Sequence, residues 1–492
     1  MDILQAIYSA IVHFLGHQPG EPLLFFSGAF WLLFILFLAG YAMIYKKNRW
    51  MLPYVILFNL FFYYKTNGVL VLLLVATAVM GWWIALQMKQ TADQRKRKIL
   101  MLVAVSINIG VLGYFKYAGF FADSFNTLLG TNFAFGKIFL PVGISFYTFQ
   151  SISYIVDVYK KRMEASTAFL PYLFYLTFFP LILSGPIVRA PHFFPQLKER
   201  PAPINRMLYL GLWLIILGLL KKVMLADYLA QFNNLVLDTP TQYSGFEVLM
   251  GAMGYSMQIY LDFSGYSDIA IGLGALLGFD LGENFRFPYR ATNLTDFWRR
   301  WHISLSTWLR DYIYIPLGGN RKGKNRQYLN NMVTMLIGGL WHGASWMFVC
   351  WGALHGAGLV LHKMSLPWLN RLPNTWGVRL ITWLLFYLFV LVTWVFFRCT
   401  SMEICGEVFT RMFTQVDWAY LPVFVTVRLG WSIALVVALL GSVAISPRWY
   451  ARMQEWFIAA PWWVKLVLFT VVIQAVVQLQ TSNVQPFLYY QF

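Results

Sequence analysis

Apolar runs long enough to cross a bilayer recur along this chain, and no other feature constrains its fold as tightly. A hydrocarbon core about 30 Å thick takes about 20 apolar residues in a helix. Runs of that character occupy residues 24–45, 52–64, 69–88, 99–115, 138–158, 169–188, 207–225, 246–261, 269–279, 332–340, 346–361, 378–397, 423–445 and 463–479. Charged residues make up 12% of the 492 positions and hydrophobic ones 59%. A soluble domain carries about 25% charged residues, so an ordinary soluble protein is excluded. No polar linker divides the chain. The expectation is an all-α polytopic membrane protein, a single embedded domain over 1–492, with about 11–13 membrane helices plus re-entrant segments. Residues 1–109 form N-terminal helices in this reading, 110–362 a chemistry-bearing core and 363–492 C-terminal helices.

The formal charge of +18 invites a nucleic-acid reading, but the basic residues sit in short clusters at the ends of apolar runs. Lys46-Lys47-Asn48-Arg49, Lys89 with Arg95-Lys96-Arg97-Lys98, and Lys160-Lys161-Arg162 fit the positive-inside rule, with the 65–68 turn and the 121–136 loop on the outer side. The expected large partner is therefore the lipid bilayer and not nucleic acid. Leu4, Ile7, Ile11, Phe14 and Leu15 recur at near-helical spacing without a cleavable leader pattern, as in a helix lying at the interface. Cys350, Cys399 and Cys405 lack zinc-type spacing, and no metal site is expected.

The alternation of loops fails between residues 169 and 361, where runs are short or polar and Asp262, Asp268, Glu283, Arg299, Arg300 and His302 fall close together. Irregular backbone at membrane depth is tolerated where protein buries it or a cavity lies beside it, so a re-entrant centre enclosing an aqueous site is expected. His342, in Trp341-His342-Gly343, interrupts an apolar stretch, and an ionisable group there is a functional candidate by default. It reads either as a hydrogen-bonded core histidine or as a general base, since neutral imidazole can take a proton from an attacking hydroxyl. His355 and His362 read as structural or interfacial.

Residues 293–320 mix Asp296, Arg299, Arg300, His302 and Ser306 with Trp298, Trp301 and Trp308. As a helix the segment pairs Asp296 with Arg300 at i, i+4 and sets Trp298, His302 and Ser306 on one face. It is either an aromatic interfacial belt or a cavity wall. The loop that follows, with Arg321, Lys322, Lys324 and Arg326, reads first as a topogenic loop and second as a cradle for the phosphates of a donor. Asp262 and Asp268 read as paired structural acids, with Arg299 or Arg300 as partners.

The segments YFKYAGFF (114–121), LPVGISFYTFQSISYIVDVY (140–159), FFPLILSGPIVR (178–189), QIYLDFSGYSDIAIGLGALLGF (258–279), FRFPYRATNLTDFWRRWHISLSTWLRDYIYIPLGGNR (285–321) and GGLWHGASWMFVCWGALHG (338–356) resemble the membrane-bound O-acyltransferase family, in particular its bacterial branch that acetylates exopolysaccharides such as alginate. The resemblance covers roughly residues 110–360. It implies helices around a central funnel or tunnel, His342 as the catalytic histidine and His302 as the second histidine of the branch. Trp298, Arg299, Arg300, Ser306, Asp262 and Trp341 are then candidates to line the tunnel or bind substrate.

The resemblance further implies transfer of an acyl group, acetyl first, from cytoplasmic acetyl-CoA across the bacterial inner membrane toward an exported polysaccharide. No tightly bound cofactor is expected. The implied partners are a periplasmic, SGNH-type serine-hydrolase-like acetyltransferase and a polysaccharide synthesis complex. Transport of a polysaccharide or lipid-linked sugar, a non-catalytic scaffold, and D-alanyl transfer to teichoic acid stand as alternatives.

Overall fold

A backbone in lipid must satisfy its own polar groups, which a helix does within one segment; among the described residues of this computed structural model the regular elements are helices. Described are residue 5 and residues 14–18, 22–133, 136, 138–199 and 205–479. The expected N-terminal interfacial helix lies largely outside them. Among the described residues five helices are long and apolar enough to cross a membrane: Arg49–Gln90, Gln94–Leu129, Asn205–Asp238, Trp376–Arg398 and Trp462–Leu479. A sixth arises if Trp418–Val427 and Leu429–Val443, bent by 105°, make one span. The protein is thus an all-α, multi-pass membrane protein. It forms two compact units, Met1–Leu212 with Ile269–Gly282, and Trp213–Asp268 with Glu283–Phe492.

The first unit contains α1 (Gly28–Ile44), α2 (Asn48–Asn67), α3 (Val71–Gln90), α4 (Gln94–Leu112), α5 (Ile144–Tyr159) and α6 (Phe169–Thr177). Asp93 caps α4 by accepting from the Arg95 amide at 2.8 Å, a helix start that its side chain predisposes. Arg97 is buried and donates to the carbonyls of Met88 (2.6 Å), Val158 (3.0 Å) and Tyr159 (3.3 Å). It thereby gathers the C-terminal ends of α3 and α5, where helix dipoles favour a cation. At the opposite ends of those helices, Asn67 clamps Val142, accepting from its N–H at 2.7 Å and donating to its carbonyl at 3.3 Å. The two clamps put the 89–98 and 160–162 clusters at one end of the unit and the 65–68 turn at the other, as the loop charges predict.

Two expected runs are interrupted. The 138–158 run becomes helical at Ile144, because Gly143 takes φ +84° where a side chain would run into the Ile182 carbonyl. The 169–188 run breaks at Phe178, and Asn59 accepts the freed Phe179 N–H at 3.1 Å.

The second unit holds the C-terminal part of α7 (Asn205–Leu219) and most of α9 (Gly245–Leu276), together with α8 (Asp227–Asp238), α10 (Leu294–Trp298), α11 (Ile303–Leu309), α12 (Lys324–His342), α13 (Trp346–Leu369) and α14 (Trp376–Arg398). The expected separate runs 246–261 and 269–279 are joined in the 32-residue α9. Asp262 and Asp268 sit inside it with cations beside them: Lys222 Nζ lies 2.6 Å from Asp262, and 2.8 Å from Asp227 of α8, and Lys221 Nζ lies 2.6 Å from Asp268. The partners expected from sequence, Arg299 and Arg300, are replaced by these lysines, which a π-helical stretch at Leu220–Ala226 carries into the core.

Candidate active site

The segment 293–309 is two short helices and not one. Asn293 caps α10 by accepting from the Asp296 amide at 2.9 Å, and Arg300 Nε donates to Asp296 Oδ2 at 2.9 Å, the pair that the spacing predicts. Beyond Trp298 the helix stops. His302 takes φ +43°, a left-handed conformation unusual for a side chain of this size. The shared face expected for Trp298, His302 and Ser306 is therefore lost.

Asn284 fixes the break. Its Oδ1 accepts from the Ser304 amide (3.2 Å) and the Ser304 hydroxyl (2.9 Å), and its Nδ2 donates to Ser267 Oγ at 3.0 Å. Since a backbone N–H can do nothing but donate, Oδ1 is the acceptor, and His302 Nδ1, 3.2 Å away, carries the hydrogen. The Nε2 lone pair is left as the basic site of the ring. His302 lies between α10 and α11, outside the spans, and burial pushes its pKa down to about 3.

His342 is the last residue of α12 and is 3% exposed. Gly343 is extended, Ser345 caps α13 by accepting from the Met347 amide at 3.2 Å, and α12 and α13 form a tight hairpin. The imidazole packs against Trp341 (5.1 Å between ring centroids), Trp351 (5.0 Å) and Phe397 (5.2 Å). His302 packs on the same Trp341 at 5.9 Å, so this indole is the common neighbour of both histidines. The helix C-terminus favours positive charge, the charge that the His342 ring acquires on taking a proton.

The other candidates scatter. Trp298 reaches Trp351 at 5.8 Å, within the aromatic cluster. Ser306 donates from its hydroxyl to the Trp301 carbonyl at 3.1 Å and is used locally. Arg299 is exposed, Arg300 is occupied by Asp296, and Asp262 is held by Lys222. Arg321, Lys322, Lys324 and Arg326 are exposed in and just after the loop that leads into α12. His355 joins the cluster through Trp351, 4.6 Å away. A separation of 13 residues along one helix hides that neighbourhood, because the turn at 343–345 reverses the chain.

Residues 162–406 match the sequence profile of the membrane-bound O-acyltransferase family (MBOAT). The "Probable alginate O-acetylase AlgI" of Pseudomonas putida is 33% identical over 495 residues, covering 96% of this chain and all of the relative. The chain belongs to the membrane-bound O-acyltransferase family. The "Peptidoglycan O-acetyltransferase" of Helicobacter pylori is 37% identical over 385 residues, 73% of either chain. The "Teichoic acid D-alanyltransferase" of Bacillus subtilis is 30% identical over 251 residues, 48% of this chain and 63% of that one. The matched stretch contains α10 to α14 and both histidines. Membership makes the protein a membrane O-acyltransferase, an enzyme.

Proposed function

We propose that the protein moves an acetyl group from cytoplasmic acetyl-CoA across the bacterial inner membrane for O-acetylation of an exported polysaccharide, with His342 as the general base. The observation that carries this reading is the buried His342 at the end of α12, inside an aromatic enclosure within the stretch matched by the family. His342 takes the proton of the acceptor hydroxyl, the oxygen attacks the thioester carbonyl, the C–S bond breaks and the proton passes to the departing thiolate. A thioester is already activated, so proximity, a base and exclusion of water supply most of what is needed. His302 Nε2 positions donor or acceptor, and Arg321, Lys322, Lys324 and Arg326 meet the donor's phosphates. A periplasmic serine-hydrolase-like partner completes transfer to the polymer.

The relatives named for alginate and peptidoglycan acetylation support acetyl as the group, and the lower coverage by the D-alanyltransferase sets that chemistry second. Purified protein given radiolabelled acetyl-CoA should release or transfer label, His342→Ala should abolish this and His302→Ala should weaken it. Undiminished turnover by a folded His342→Ala protein refutes the assignment.

A further inference from the structure

Beside His342 stands a polar group that the reaction above does not use. His355 is fully buried, and neither of its ring nitrogens has a hydrogen-bond partner among the described residues; the same is true of Nε1 of Trp298 and of Trp351. The three rings adjoin, His355 to Trp351 at 4.6 Å, His355 to Trp298 at 5.3 Å and Trp298 to Trp351 at 5.8 Å. Phe389 at 5.7 Å and Phe297 at 6.3 Å are further apolar ring neighbours of His355. Leaving buried polar atoms unpaired costs folding free energy, whereas an apolar ring of similar shape fills the same space without that cost. Packing therefore gives no reason for an imidazole at this position.

The hydrogen-bonding inventory says what fits. Two indole N–H groups and one imidazole N–H donate, one imidazole nitrogen accepts, and these rings are uncharged. Such a set suits a neutral ligand rich in carbonyl oxygens and does not suit a phosphate. Its place on α13 agrees. Two turns further along the same face, about 10 Å away, is His362, half-buried, with Nδ1 3.0 Å from Thr295 Oγ1. Next to it Lys363 Nζ donates to Asn331 Oδ1 of α12 at 3.0 Å, near the basic loop. His355 thus lies between the loop end of the hairpin and His342.

We propose that His355, with Trp298 and Trp351, is a subsite for the neutral, carbonyl-bearing arm of the acyl-thioester donor. It positions the donor and takes no part in proton transfer. This inference rests on the acyl-transfer reading above. The test uses full-length purified protein and acetyl-CoA as the probe, comparing wild type with His355→Phe, His355→Gln and Trp298→Phe. His355→Phe is expected to raise the donor KM about tenfold, with kcat and the acceptor KM within about twofold and thermal stability equal or higher. His355→Gln, which keeps a donor and an acceptor, should restore most of the affinity.

An unchanged donor KM in His355→Phe overturns the inference and leaves the catalytic reading intact. A wild type inert toward acetyl-CoA overturns the donor assignment and the inference with it. If His355→Phe does not fold, Trp298→Phe decides: a several-fold rise in donor KM supports the subsite, and an unchanged value overturns it.

Discussion

Replacing Gly352 with alanine tests whether the α12–α13 crossing sets the position of His342. A Cβ at Gly352 would lie 2.5 Å from the Met335 carbonyl oxygen and 3.2 Å from the Leu336 Cα, whereas ordinary contact begins near 3.4 Å. Both obstacles are helix backbone and cannot rotate aside, so the two helices must part by about 1 Å, an overpacking strain of about 1–3 kcal/mol. Gly339 and Gly356 meet the facing helix with similar closeness, which leaves no slack elsewhere along the crossing. The displacement reaches Trp351, the neighbour of residue 352, and through it His342. A misplacement of about 1 Å at a reacting group costs up to about a hundredfold in rate. The assay is acetyl-CoA turnover by purified Gly352→Ala protein beside its thermal unfolding in detergent. The expected result is a folded protein with a lowered melting temperature and kcat reduced by one to two orders of magnitude. Wild-type kcat together with wild-type stability refutes the argument.

Lys222→Met leaves Asp227 and Asp262 without this shared cation, and breaking a buried pair costs about 3–5 kcal/mol; thermal unfolding should show the loss, and adding Asp262→Asn should recover part of it. Asn284→Ala removes the acceptor of His302 Nδ1 and of both Ser304 donors, a cost of about 1–3 kcal/mol, with turnover falling further than stability because the His302 tautomer is no longer fixed. His302, with its pKa near 3 when folded and about 6.5 in an unfolded chain, makes stability depend on acid. Its contribution is complete above pH of about 6.5 and is lost as the pH falls toward about 3, where the unfolded chain takes up a proton that the folded one refuses. The melting temperature of wild type should fall with acid more steeply than that of His302→Phe; parallel curves contradict this.

The membrane class and the pairing of Asp296 with Arg300 were legible in the sequence because each depends on residues close along the chain. What was hidden depends on contacts between distant segments. Nothing local shows that Asn284 will hold His302 in a left-handed turn, so the 293–309 segment reads as one helix until that contact is known. Asp262 and Asp268 read as structural acids paired with Arg299 or Arg300, yet their cations are Lys222 and Lys221, some forty residues upstream. Measured along one helix, His355 and His342 lie far apart; the Gly343–Ser345 turn reverses the chain and brings both rings against Trp351.

The Arg97 clamp also has a bearing on biogenesis. As the nascent polypeptide leaves the ribosome, this guanidinium emerges about sixty residues before the Val158 and Tyr159 carbonyls it needs, while Met88 is already present. Until they arrive the guanidinium stays hydrated with the other basic residues of 89–98 at the loop end of the unit, and closure of the early helices into a sealed group waits for α5. Stalled chains ending before residue 158 should remain cross-linkable to the insertion machinery at α4, and chains extended past α5 should lose that adduct.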